Sequence, residues 1–160
     1  MNISRYRPIL YLQCLFLGVD LFVNAFSELL RIANVVLLVM FVIQDMCLIF
    51  AIIVTFLMFF TTYVFQAGLI HVLIRKFKTT IITAFIYLGL SISLHIWTMT
   101  LRWTDTNTYI WTAGYHTLYI IQRTGAAFHY YFYKRTSLKL SDPKFYEESD
   151  WIKSEFAKQR

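Results

Sequence analysis

Residues 35–60 read VVLLVMFVIQDMCLIFAIIVTFLMFF, and this stretch decides the fold. Asp45 is its only charge, and Gln44 and Thr55 are its main polar interruptions. A hydrocarbon core of ~30 Å is crossed by roughly 20 apolar residues in a helix. The segment is long enough to cross alone, and nothing in it supplies the polar face that a helix on a soluble protein would need.

Working outward, three further blocks have the same character, at about 8–30, 80–101 and 109–133. Of the 160 residues, 58% are hydrophobic and only 15% are charged. A soluble domain of this size has too much surface for its volume to hide that composition from water. The sequence therefore predicts an all-α integral membrane protein. Its expected architecture is a four-helix transmembrane domain over 1–133, with spans at about 8–30, 35–60, 80–101 and 109–133. A cytoplasmic tail follows over 134–160.

The second block stays apolar as far as Ile74, too long for one simple span. The break is expected at Thr61-Thr62 and Gly68, with residues 61–78 a kinked or interfacial continuation. The other reading splits the block into two spans, giving five helices and termini on opposite sides. The first block also has the outline of a signal peptide, but Asp20 interrupts its apolar run before the Val23-Asn24-Ala25 motif.

Net charge is +6, yet the basic residues flank apolar blocks and do not form a stripe with interleaved aromatics. That placement excludes a nucleic-acid footprint and sets topology. Arg5, Arg7, Arg75, Lys76, Lys78, Lys134, Arg135 and Lys139 fall on one side of the four-span arrangement, whereas Arg31 and Arg102 fall on the other. Both termini are accordingly expected in the cytoplasm. Trp103, Tyr109 and Trp111 are assigned to an outer aromatic belt, and Tyr130, Tyr131 and Tyr133 to the inner interface. In the tail, Asp142-Pro143 opens a short amphipathic helix. It is read as packed on its own bundle or, alternatively, as docking a partner through Phe145, Ile152 and Phe156.

Polar groups at bilayer depth carry the functional information, since each ionisable one costs ~2.5–3.5 kcal/mol on insertion scales. They are Asp20, Asn24, Glu28, Gln44, Asp45, His95 and Arg123, with Gln122 beside the last. The first three recur at four-residue spacing and so share a helix face. Counting rise per residue places Asp20 and Asp45 roughly 15 Å deep and Arg123 roughly 20 Å deep. Arg123 is therefore expected to pair with Asp45, Asp20 or both. The preferred reading is a set of buried bonds that fixes helix register. The alternative is a small channel or transporter subunit using Asp20, Asp45 and Arg123. Gly89 and Ser93 form a small-xxx-small pair that offers a helix-packing face.

The histidines at 71, 95, 116 and 129 lack metal-ligand spacing, with His71 and His129 assigned near the inner interface. Cys14 and Cys47 lie inside apolar segments, and no activated nucleophile motif occurs. A non-catalytic protein with no metal and no cofactor is expected, its first partner being the lipid bilayer.

Several ordered strings are similar to one known family. DLFVNAFSELL (20–30), FLMFF (56–60), VFQAGL (64–69), LSISLHIW (90–97), LRW (101–103), FYKRT (132–136) and DPKFY (142–146) resemble the transmembrane protein 138 family. The resemblance covers nearly the whole chain, leaving about the first ten residues outside. It implies a ciliary membrane protein required for cilium assembly and for trafficking of ciliary membrane proteins. The implied location is the ciliary membrane, the ciliary base and related endomembranes, with other ciliary membrane proteins as partners. No catalytic residues come with it.

Overall fold

A computed structural model describes residues 3–27, 29, 33–104, 112–145 and 150–159. Expectations resting on Glu28, Arg31, Tyr109 and Trp111 lie outside those residues. The described residues are helical with no strand: α1 (Ile3–Phe26), α2 (Asn34–Phe60), the single turn α3 (Tyr63–Gln66), α4 (Ile70–Arg102), α5 (Ala113–Leu140) and α6 (Asp150–Gln159). A 3-10 turn at Pro143–Phe145 precedes α6.

The long helices run alternately up and down. α1 packs on α2, α2 on α4 and α4 on α5, and α1 closes back onto α5. We call the end where α1 begins and α5 finishes the foot, and the opposite end the head.

Apolar residues of unusual size cover the outside. Leu15, Ile86, Ile96, Ile120 and Phe128 are each 56–64% exposed, whereas Asp20, Gln44, Ser91 and Gln122 are 0% exposed. That inversion is what lipid demands, because hydrocarbon tails solvate leucine and cannot solvate an amide. α1, α2 and α4 are long and apolar enough to cross a bilayer. α5 is as long as α2 but more polar, carrying Arg123, Lys134, Arg135 and Lys139.

The junction between α2 and α4 is compact. α2 stops at Thr61, the Thr62 hydroxyl caps α3 by accepting from the Phe65 amide at 3.3 Å, and Gly68 turns the chain at φ +80°. Such a φ suits glycine, which has no Cβ to clash. α4 then begins at Ile70, ten residues before the expected span at 80. Its 33 residues measure about 50 Å, so it overruns a ~30 Å core. The overhang carries Arg75, Lys76 and Lys78 at the foot.

There the apolar residues turn inward again. Met58, Phe59, Leu73, Phe77, Leu140, Phe145 and Ile152 form one buried cluster, with Tyr6 from the start of α1. Phe145 and Ile152 are each 1% exposed, so they belong to the protein's own core and offer nothing to a partner. Phe156 alone of the expected docking residues is exposed. Lys76 Nζ lies 4.9 Å from the Phe145 ring centre and 4.6 Å from that of Trp151, a cation–π cover on the tail.

Candidate functional site

Asp20 lies at the centre of the bundle. The Gln44 amide donates to its Oδ1 at 2.7 Å, and the Tyr87 hydroxyl donates to Oδ2 at 2.7 Å. The Tyr130 hydroxyl donates to Oδ2 as well, and Asn24 Nδ2 approaches it at 3.4 Å. One carboxylate thus takes donors from α1, α2, α4 and α5. A carboxylate has about four acceptor sites, so neutral groups of the bundle occupy its capacity.

Asn24, one turn along α1, ties the shell together. Its Nδ2 donates to Tyr87 at 2.8 Å and Tyr130 at 3.0 Å, and its Oδ1 accepts from Gln44 at 2.9 Å and Gln122 at 3.3 Å. Gln122 also donates to the Ser91 hydroxyl at 3.2 Å. These bonds join α1 to α2, α4 and α5, and α5 to α4, so rotating any helix about its axis breaks at least one of them.

Asp45 goes elsewhere. Consecutive helical residues point about 100° apart, so Gln44 meets α1 while Asp45 faces α4. His95 Nδ1 lies 2.9 Å from Asp45 Oδ1, off the direction a hydrogen bond requires. The His95 ring stacks on Phe41 at 4.2 Å.

The expected pairing of Arg123 with Asp20 or Asp45 does not occur. Its guanidinium folds back one turn along α5, with Nη2 3.1 Å from the Tyr119 hydroxyl and its carbon 4.5 Å from that ring's centre. The reason is angular. Gln122 takes the inward direction, which leaves its neighbour Arg123 off that axis and half-buried. Matched depth does not make a pair when the helix points the group another way.

Two more assignments change. Tyr130 and Tyr133, expected at the inner interface, face the bundle, and Tyr133 donates to the Ala51 carbonyl at 3.3 Å; only Tyr131 turns outward. His129 is 1% exposed, its ring stacked 4.8 Å from Tyr87. Gly89 and Ser93 lie on the outer face of α4, and a Cβ added at Gly89 would meet nothing within 4 Å. Within the chain, the close glycine approaches are Gly114 against Trp97 and Gly125 against Leu90 and Tyr87.

Tyr87, Ser91 and Tyr130 are members of this network that reading for charge misses. A register signal existed for two of them. Thr80, Ala84, Tyr87, Ser91, His95, Thr98 and Arg102 recur every three or four residues and are the buried stripe of α4.

Chemically the site is a lock. Beside it, a cavity touching Asn24, Gln44, His95 and Arg123 holds about 10 Å³, no more than the ~10–15 Å³ that one water needs. Among the described residues no three of His, Cys, Asp or Glu are placed to hold a metal ion.

Residues 37–155 match the family described as transmembrane protein 138. The chain is similar to transmembrane protein 138 of Mus musculus, 52% identical over 100% of this chain and 99% of the relative. It is 46% identical to that of Danio rerio over the same shares. With that of Xenopus tropicalis the identity is 50% over 98% of this chain and 97% of the relative. The likeness takes in the first ten residues, which the sequence strings had left outside. No solved structure matches.

Proposed function

The chain belongs to the transmembrane protein 138 family, and from that premise we propose a non-catalytic membrane component of the cilium that acts through contacts with other membrane proteins. Its work is cilium assembly and the trafficking of ciliary membrane proteins, at the ciliary membrane or base. The observation that supports a scaffold over a conduit is the saturation of Asp20. A proton or ion path needs its carboxylate open to water, whereas this one is 0% exposed and held by donors from four helices.

In this reading α5 is the fourth span. Its polar residues Gln122 and His129 turn inward, while Ile120 and Phe128 turn out, so its composition understates its fitness for lipid. Both termini and the 75–78 segment then face the cytoplasm. The outer face of α4 around Gly89 and Ser93 is where another membrane helix approaches.

Cells lacking the protein should build fewer or shorter cilia and misplace ciliary membrane cargo, and the wild-type chain should restore both. Glycosylation acceptors added to the tail should stay unmodified, while one in a lengthened 104–108 loop should be modified; the reverse would sink the topology. Ion flux through purified protein in liposomes, abolished by Asp20→Asn or Asp45→Asn, would overturn the scaffold reading.

A further inference from the structure

α1 and α5 are clasped at two levels. At the foot the Tyr6 hydroxyl donates to the Ser137 carbonyl, and Ser137 Oγ donates to Gln13 Oε1 at 2.9 Å. At mid-bundle Tyr130 donates to Asp20. Between the clasps the helices part, leaving a side-open cavity of about 380 Å³. Leu10, Cys14, Leu17 and Leu21 wall it on α1, Tyr133 and Leu138 on α5, and the surface is almost wholly apolar.

This cleft has a charged end. Lys134 and Leu138 line both it and a second cavity of about 470 Å³, which Arg135, Lys139, Tyr131 and Asp142 complete. Three cations stand against one carboxylate. Lys134 and Arg135 are exposed, Lys139 is half-buried, and none of the three is paired with an acidic side chain among the described residues.

An apolar cleft alone would take any lipid tail, and a basic patch alone any anion. Here one runs into the other. We propose that the α1–α5 cleft binds a single anionic phospholipid, with an acyl chain between Leu17 and Leu138 and the phosphate headgroup on Lys134, Arg135 and Lys139. Basic pockets between membrane helices on the cytoplasmic side recognise such headgroups, and several hundred Å³ is an ordinary ligand volume. A partner helix fits poorly. From Gln13 to Asp20 the clasps are about 10 Å apart, room for part of a chain and not for a helix face. The inference rests on α5 crossing the bilayer, which sets the three cations at headgroup level.

The test is native mass spectrometry of the full chain released from nanodiscs of phosphatidylcholine doped with phosphatidylserine. One phosphatidylserine should stay bound in preference to phosphatidylcholine. The combined variant Lys134→Ala, Arg135→Ala, Lys139→Ala should weaken it about a hundredfold with the thermal melt unchanged. Gly18→Phe should fill the cleft and lower retention without touching a charge, since a Cβ at Gly18 meets nothing within 4 Å. Glycerophosphoserine, which has no chains, should not displace the lipid. Equal retention of both lipids, indifference to the triple variant, or displacement by glycerophosphoserine would each overturn the site. So would a Gly18→Phe variant that keeps its lipid and loses a dimer, which would make the cleft a seat for a second copy. Acceptor-site mapping reports α5 topology separately, so a failure there is distinguishable from a failure to bind lipid.

Discussion

The middle and the foot of this bundle are built on opposite rules. Around Asp20 the interior is polar and the exterior is leucine, isoleucine and phenylalanine. Around Phe77 and Phe145 the interior is aromatic and a lysine lies over the tail rings. In lipid, apolar side chains gain little by meeting each other, so hydrogen bonds and close packing must choose the helix partners. Where α4 overruns the bilayer, water returns and ordinary hydrophobic burial takes over. One chain changes solvent along its length, and its core changes with it.

Breaking the middle should cost most. Asp20→Leu removes the acceptor for three interhelical bonds at roughly 0.6–1 kcal/mol each, a total loss of roughly 2–3 kcal/mol. Denaturant unfolding of the reconstituted protein would measure it, and an unchanged midpoint would show that the lock is not one.

At the foot, Ile152→Ala should cost about 2 kcal/mol, the low end for deleting a buried aliphatic side chain. The loss should be local. Protease should reach the tail sooner while the middle keeps its stability, because the two regions draw on different forces. Cooperative loss of both would contradict the division.

Tyr87→Phe sharpens the comparison, since it deletes one hydroxyl and keeps the ring. A loss of roughly 0.6–1.7 kcal/mol is expected, with no change in tail proteolysis. Much less would mean that Tyr130 and Gln44 suffice for Asp20.

Smallest should be Arg123→Met. With only Tyr119 to lose, the cost is about 0.5–1 kcal/mol. Adding Asp45→Leu should bring no rescue, as the two do not touch. Recovery in the double variant would restore the ion pair that matched depth suggested.

Arg123 shows where sequence reading stops. Height along each helix could be counted, because rise is fixed per residue. The rotation that points Gln122 inward was not. Asp20, Asn24 and Gln44 were found as polar intrusions in apolar runs, and they do meet. Tyr87 and Tyr130 were hidden because a tyrosine in a membrane helix reads as an interface anchor, and nothing local marks one that turns inward. For the tail, the spacing of Phe145, Ile152 and Phe156 named a sticky face but not what it sticks to.

By itself the sequence determined the membrane class, the order of the helices, the break near Thr61 and Gly68, and the family. The first three follow from composition and from distances counted along one chain, and the family from ordered strings that resemble it. Only the tertiary structure decided that Asp20 is held by tyrosines and amides, that Arg123 stays apart, that Phe145 and Ile152 are core, and that α1 and α5 part over a cleft. Those outcomes depend on the angle each helix adopts about its axis. Bonds between different helices set that angle jointly, so no segment carries it alone.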